Sequence, residues 1–165
     1  MKNLFFIVIF CFFAFISCRN DDFAVQRIDQ IINLYIDSAG QDMLNSNIKK
    51  SYSRVQFNDV YGLTDTAPVN FSLKKNNDTI SYVEYLAGAK RRGVDSVGEV
   101  KTYESKIALI LTKKINDSTT VIKNDTMTIQ YISRPEIFQV SRVWYNRVLT
   151  FTKVEGEPNI VKVRK

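Results

Sequence analysis

Short runs in which apolar residues alternate with polar ones recur along the chain after residue 30. In the first run Ile32, Leu34 and Ile36 occupy every second position, which is the pattern of a strand with one buried face. The same criterion predicts about eight strands, each rich in β-branched and aromatic residues. They cover residues 31–37, 54–61, 69–74, 79–86, 106–114, 127–132, 137–145 and 148–154, and residues 159–163 are a candidate last strand.

Turn-forming residues separate these runs. Asp37-Ser38-Ala39-Gly40 has Asp first and Gly fourth, as type I turns favour. Asn76-Asn77-Asp78 predicts a hairpin, and Asn116-Asp117, Asn124-Asp125 and Asn146-Arg147 predict three further turns. Residues 107–111 are apolar at every position, which is typical of a central strand.

This regular spacing of strands and turns predicts one all-β domain, an antiparallel β-sandwich of immunoglobulin-like type. The alternative is an α+β fold in which an N-terminal helix packs on a curved antiparallel sheet. Val25, Ile28, Ile32 and Tyr35 have helical spacing within residues 22–36, which supports that alternative. The turn signal that begins at Asp37 favours a strand.

The first 17 residues have the order of parts of a secretion signal. Lys2 precedes an unbroken apolar run from Leu4 to Ile16, and the small residue Ser17 follows. A run of 13 apolar residues is too short to span a bilayer as a helix, which takes about 20. We therefore expect residues 1–17 to be removed, so that the mature chain begins at Cys18.

Phe15-Ile16-Ser17-Cys18 resembles the lipobox of bacterial lipoproteins. The resemblance implies cleavage between Ser17 and Cys18 and acylation of the Cys18 thiol, for example with palmitate, which holds a protein on its membrane. Residues 18–30 are then the tether and residues 31–165 a single β-rich domain. The alternatives are an ordinary signal peptide with an incidental cysteine and a buried N-terminal helix.

Composition limits the chemistry. The mature chain keeps Cys18 as its only cysteine and has no histidine, so it lacks the residue used by Ser-His-Asp catalysis and by most zinc sites. We therefore expect no cofactor, no metal and no enzymatic activity. Residues 67–165 contain seventeen basic and ten acidic side chains, so the basic excess lies in this part of the chain.

Two segments resemble small lipoproteins of the Bacteroidota. Residues 37–45, Asp-Ser-Ala-Gly-Gln-Asp-Met-Leu-Asn, are similar to an Asp-x-x-Gly-x-Asp-Leu-Leu segment, and Val143-Trp144-Tyr145-Asn146 is similar to a late hairpin that ends in Asn-Gly. Here Met43 replaces a leucine, and Arg147 replaces the glycine that would supply the positive φ of a tight turn. The resemblance implies a β-sandwich anchored in the outer membrane, on its surface or its periplasmic face, and it implies no activity.

Six Asp-Ser or Asp-Thr pairs are each followed by Ala, Ile, Val, Thr or Met, and the triplet is similar to the O-glycosylation acceptor of exported Bacteroidota proteins. Chance placement at this composition predicts about 0.6 such triplets. Turns that lead into strands produce the same triplet without glycosylation, because Asp, Ser and Thr favour turns. The candidate acceptors are Ser38, Thr66, Thr79, Ser96, Ser118 and Thr126.

Two function classes remain open. The first is a non-enzymatic module that binds a glycan or an envelope protein, or serves as an accessory subunit; nucleic acid is not an expected partner. Trp144 and Tyr145 lie on opposite faces of one strand, so one of them is exposed and able to stack on a sugar, although packing is the commoner role.

Basic pairs offer a second binding feature, because they could form a surface for anionic glycans or lipid headgroups. Such pairs more often protect edge strands or lie in solvent-exposed turns. These pairs are Lys49-Lys50, Lys74-Lys75 and Lys113-Lys114, together with Lys90-Arg91-Arg92.

The second class is a glycan hydrolase that uses two carboxylates. Its candidates are Glu84, Glu99, Glu104 and Glu136. An oxygen-rich loop of Asp37, Asp42 and Asn45 suits either calcium or turn capping, and we favour capping.

Overall fold

The computed structural model describes residues 25–116 and 118–165, and the regular elements in those ranges are all β-strands. Two sheets pack face to face around one core. The predicted all-β sandwich is therefore confirmed, and its finer immunoglobulin-like assignment stays a prediction. The strands are β1 (Arg27–Asp29), β2 (Ile31–Ser38), β3 (Gln41–Asp42), β4 (Tyr52–Asp59), β5 (Ser72–Lys75), β6 (Ser81–Leu86), β7 (Arg92–Val97), β8 (Val100–Lys114), β9 (Thr120–Arg134), β10 (Ile137–Tyr145), β11 (Val148–Thr152) and β12 (Asn159–Arg164).

The N-terminal helix of the alternative fold is wrong for the part that the structure describes. Arg27–Asp29 and Ile31–Ser38 are strands, because both segments pair with neighbours in a sheet.

Among the described residues, no helix has the length and apolar character needed to cross a membrane.

One long hairpin organises the seven-stranded sheet. β8 and β9 contain 15 residues each and pair antiparallel from Lys101 opposite Ser133 to Lys114 opposite Thr120. At about 3.3 Å per residue, each strand is about 50 Å long. β4 and β7 pair with β8, while β10 pairs with β9 and carries β11 and β1 at its other edge. The predicted central position of residues 107–111 is confirmed, because β8 has a neighbour on each side there.

The second sheet has the order β12-β2-β6-β5, with the short β3 added beside β2. β12 runs parallel to β2, from Asn159 opposite Ile32 to Arg164 opposite Asp37. β1 is likewise parallel to β10, and the remaining pairings are antiparallel as predicted. We call the end of the sandwich where β2 and β12 begin the proximal end, and the end where they finish the distal end.

The alternating apolar residues of the sequence fill the space between the sheets. Ile32, Leu34 and Ile36 of β2 are at most 2% exposed. Burial of side chains of this size stabilises the fold by about 1.5–3 kcal/mol each. The other sheet supplies its own inward-facing residues, which include Phe57, Ile107, Leu109, Leu111, Met127, Ile129, Tyr131, Val140, Val143 and Tyr145.

The core tyrosines Tyr85 and Tyr131 bury their hydroxyl groups, and both hydroxyls are hydrogen-bonded. The Tyr85 hydroxyl accepts the Ala89 backbone N–H at 2.9 Å, and the Tyr131 hydroxyl lies 2.9 Å from Ser105 Oγ. Burial raises the pKa of both phenols, so they stay neutral.

The predicted turn at Asn124-Asp125 is wrong. Both residues lie inside β9, opposite Ile110 and Leu109 of β8. The Asp125 carboxylate accepts hydrogen bonds from other strands, so a residue type that favours turns is used here inside a strand.

Two tight hairpins use left-handed residues. Ala39 and Gly40 have φ values of 53° and 80°, so the turn runs from Ser38 to Gln41 and is not the predicted type I turn. Asn146 and Arg147 have φ values of 48° and 70°, and they form a two-residue hairpin although arginine replaces glycine.

A charged cluster joins the two sheets at the distal end. The Asp125 carboxylate of β9 accepts hydrogen bonds from Tyr145 Oη at 2.6 Å, from Asn146 Nδ2 at 2.8 Å and from Lys165 Nζ. Lys165 follows β12 of the other sheet, and its backbone N–H donates to the Asp37 carbonyl at 2.8 Å. Burial opposes ionisation of Asp125, but these donors outweigh it and hold the pKa of the carboxyl below its usual value.

A second cluster closes the proximal end. The Lys153 side chain is only 7% exposed, and its ammonium donates to Asp29 at 2.6 Å, to the Glu157 carbonyl at 2.5 Å and to Asn159 Oδ1 at 3.0 Å. Asn159 Nδ2 donates to the other Asp29 oxygen at 2.8 Å and to the Ile31 carbonyl at 2.9 Å. This network ties β1 to the five-stranded sheet, so residues assigned to the predicted tether of 18–30 also take part in the fold.

Candidate functional site

Two tyrosines form an aromatic pair on the outer face of the five-stranded sheet. Tyr35 points outward because its neighbours Leu34 and Ile36 point into the core. Tyr82 lies on the adjacent β6 and points to the same side. The ring centroids are 5.2 Å apart and the ring planes differ by 25°, so the rings stack.

Tyr35 also forms one wall of a cleft of about 640 Å³ at the distal end of this face. The β2–β3 hairpin, with Gly40 at its turn, and the turn between β5 and β6 border the cleft. β12 supplies the other wall through Ile160, Lys162 and Arg164. Polar groups from three acidic residues and an amide line the rest, namely Asp37, Asp42, Asp78 and Asn76.

Some of these polar groups hold the cleft together. Asp42 accepts the backbone N–H of Leu44 at 2.9 Å with one carboxylate oxygen and that of Ser81 at 2.8 Å with the other. Asn76 Oδ1 accepts the N–H groups of Asp78 and Ile80. The two hairpins that border the cleft are therefore fixed by their own side chains.

Other polar groups remain available to a ligand. Within residues 25–116 and 118–165, the Tyr35 hydroxyl, the Asp78 carboxylate and the Lys162 ammonium have no hydrogen-bond partner. Partial burial, the Tyr82 phenol and the Asp78 charge raise the pKa of Tyr35, so its hydroxyl is a neutral donor at physiological pH. The cleft thus combines an aromatic surface with a donor, an acceptor and a cation, which is a set suited to hydroxyl-rich ligands.

The oxygen-rich loop serves for capping, as favoured from the sequence. Asp37 Oδ1 accepts the Gly40 N–H at 3.3 Å, and Asn45 Oδ1 accepts the Asn47 N–H at 3.1 Å. Among the described residues, no group of three or more cysteine, aspartate or glutamate side chains is placed to hold a metal ion.

The candidate O-glycosylation residues fall into two structural groups. Thr66, Thr79, Ser96 and Ser118 are exposed, although Asp117 before Ser118 lies outside the described residues. Ser38 and Thr126 are half-buried, and the Thr126 N–H donates to Asn146 Oδ1 at 2.8 Å. Ser17 and Cys18, the predicted cleavage and lipidation residues, also lie outside the described residues.

The other candidates are dispersed. Tyr145 is a core residue, 5% exposed, and Trp144 is half-buried on the outer face of the seven-stranded sheet, so their predicted placement on opposite faces is confirmed. Glu84 pairs with Lys74 at 2.6 Å on the five-stranded sheet. Glu104 accepts the Tyr61 hydroxyl at 2.6 Å on the other sheet. Glu99 and Glu136 lie in the turns between β7 and β8 and between β9 and β10.

Sequence analysis missed the Tyr35–Tyr82 pair, although part of the signal was visible. Tyr35 occupies a polar position of the first alternating run, where an aromatic residue is unusual. Its partner was not visible, because residues 35 and 82 come together only through the pairing of β2 with β6. Comparison with protein-family models, curated proteins and solved structures finds no match to this chain.

Proposed function

We propose that the protein is a lipid-anchored, non-enzymatic binding module of the cell envelope, and that its ligand is a glycan bound in the cleft beside Tyr35. Tyr35 carries the proposal: its ring lines the cleft and is backed by the stacked ring of Tyr82. An aromatic ring packs against the C–H face of a sugar while neighbouring polar groups bond its hydroxyls. The secretion-signal pattern and the lipobox-like residues before Cys18 support the anchor.

The orientation of the cleft fits this proposal. Six residues lie between Cys18 and Val25, where the described chain begins, and the seven steps from Cys18 to Val25 reach at most about 25 Å when fully extended. The chain then enters the fold at the proximal end through β1 and β2. The cleft lies toward the distal end of the sheet's outer face, away from the end at which the chain enters the fold, and this suits a domain held by Cys18 that binds a ligand away from its membrane.

The binding proposal is tested by affinity electrophoresis of the detergent-purified full-length product on gels that contain single polysaccharides. Tyr35→Ala removes the aromatic ring that lines the cleft, and Tyr82→Ala removes the ring that supports it. Both are compared with Trp144→Ala, which removes an aromatic side chain from the outer face of the other sheet. Loss of one aromatic contact worth about 1–1.5 kcal/mol weakens binding about tenfold. Equal loss in the Trp144 variant, or no retardation on any polysaccharide, contradicts the proposal.

The anchor is tested separately by fatty-acid labelling in a Bacteroidota host. The wild-type protein takes up label and Cys18→Ala does not. Protease treatment of intact cells then distinguishes display on the outer surface from the periplasmic face of the outer membrane.

O-glycosylation is a further part of the proposal, supported by the six triplets and by the exposure of four of their hydroxyl residues. An enzyme that modifies the folded chain reaches Thr66, Thr79, Ser96 and Ser118 more easily than Thr126, which lies in a strand paired on both sides.

A further inference from the structure

Positive charge is concentrated at the distal end of the sandwich. The segments there contain twelve lysines and arginines and four aspartates, whereas the other described residues contain nine basic and ten acidic side chains. The positive excess of the described part of the chain therefore lies at one end. These segments are residues 37–54, 73–81, 111–116, 118–125, 145–148 and 162–165.

One side-chain hydrogen bond and the strand pairings bring basic residues of separate segments to one region. Gln41 Nε2 donates to the Lys49 carbonyl at 2.9 Å, and Tyr52, three residues after Lys49, pairs with Lys113 of β8. Lys123 of β9 lies opposite Leu111, two residues before Lys113, so Lys113 and Lys123 share the inner face of the long hairpin. We call Lys49, Lys50, Lys113 and Lys123 the cationic end.

These four cations are not neutralised within the described part of the chain. Lys74 pairs with Glu84 and Lys165 with Asp125, but no carboxylate oxygen of the described residues lies within 4 Å of the cationic-end ammonium groups. Protection of a sheet edge does not explain three of them. Lys49 and Lys50 lie in the loop before β4, and Lys113 lies in a strand with a neighbour on each side.

We infer that the cationic end binds an acidic polysaccharide, whose chain continues from the cleft across these lysines. Lys162 and Arg164 line the cleft; Lys162 lies opposite Tyr35 on the neighbouring strand, and Arg164 lies opposite Asp37, nearer the distal tip. Clustered unpaired cations raise the local concentration of a polyanion and bind it with strong dependence on salt. The headgroups of the anchoring membrane are the less suitable ligand, because the long hairpin places this end about 50 Å from the proximal end.

The inference rests on the proposed function and names the class of its ligand. Its test uses polygalacturonate as the acidic probe and dextran as the neutral one, with the full-length product in detergent at several NaCl concentrations. The variant Lys49→Gln/Lys50→Gln/Lys113→Gln is compared with Lys90→Gln/Lys101→Gln/Arg134→Gln, which removes the same charge from exposed residues outside the cationic end.

We expect wild type to bind polygalacturonate. The Lys49→Gln/Lys50→Gln/Lys113→Gln variant should bind it at least about tenfold more weakly at low salt. The magnitude of the slope of log affinity against log salt should fall by about two to three in that variant, if each lost ionic contact contributes about 0.7–0.9 as it does with nucleic acids. The control variant should stay within about twofold of wild type. Unfolding midpoints of both variants show whether the fold is intact.

Three results overturn the inference. They are equal losses in both variants, binding of dextran as strong as that of polygalacturonate, and binding of anionic phosphatidylglycerol vesicles without binding of polygalacturonate. Equal binding of dextran that still requires Tyr35 would leave the proposed function standing, so the two failures are distinguishable.

Discussion

Replacing Lys165 by Met should destabilise the protein at neutral pH, because it leaves the Asp125 carboxylate buried without its cation. The Asp125 side chain is 9% exposed and the Lys165 side chain 20% exposed. Loss of one partner of a buried pair costs about 3–5 kcal/mol, and the partial exposure of Lys165 reduces our expectation to about 2–3 kcal/mol. At about 3–4 °C per kcal/mol for a chain of this size, the unfolding midpoint should fall by about 6–12 °C.

The stabilisation by the Asp125–Lys165 pair should depend on pH. The pKa of Asp125 is lowered in the folded protein. The pair therefore contributes its full stability above the unfolded carboxyl pKa of about 3.8, and that stability is lost as pH falls through the lower folded pKa. Urea unfolding at pH 7 should separate wild type from Lys165→Met, and the difference should shrink toward pH 2–3.

Arg164→Met is the matched control for this experiment. Its side chain is 90% exposed and lies 3.8 Å from Asp37, so its loss should cost less than about 0.5 kcal/mol. A double-mutant cycle with Asp125→Asn isolates the coupling between Asp125 and Lys165. A Lys165→Met variant that unfolds like the control, or that loses the same stability at pH 7 and at pH 2.5, would show that the Asp125–Lys165 pair does not stabilise the fold.

Three further predictions concern other parts of the fold. Lys153→Met should lower the free energy of unfolding by about 2–3 kcal/mol, because it removes the cation that contacts Asp29 and Asn159. Lys162→Met, at an exposed position, is the control, and a similarly small change in both variants would show that the proximal cluster adds little stability. Arg147→Gly should raise stability by about 0.5–1 kcal/mol in urea titrations, since φ is 70° there, and a destabilised variant contradicts the strain argument. Glycopeptide mass spectrometry of protein from a native-type host should find sugar on Thr66, Thr79, Ser96 or Ser118 and none on Thr126; modified Thr126 shows that the sugar is added before folding.

Local patterns predicted most strands but not how far they extend. β10 matches its predicted bounds of residues 137–145, and β2 extends the predicted strand by one residue. β9 begins seven residues earlier than predicted, because Asn124 and Asp125 suggested a turn. Asp125 is tolerated inside the strand because Lys165, 40 positions later, supplies a cation, and no local pattern contains that information.

The candidate site was less predictable for the same reason. Alternation alone places Tyr35 on the outer face, but the stacking of Tyr82 on it depends on the pairing of β2 with β6. β1 and β12 were also hard to place, because parallel neighbours come from distant parts of the chain and leave no hairpin signal.

The parallel pairing of β1 with β10 has a mechanical consequence. A force on Val25 directed along β1 loads the backbone hydrogen bonds between β1 and β10 in shear. Because these bonds are evenly spaced, they share the force and do not break one at a time. Arg27–Glu155 and Asp29–Lys153 ion pairs brace the same strand from the side. If the domain is held by its N-terminus, the drag of moving fluid would act on β1 first. The shear geometry and the two ion pairs of β1 would then keep the core packed under that force.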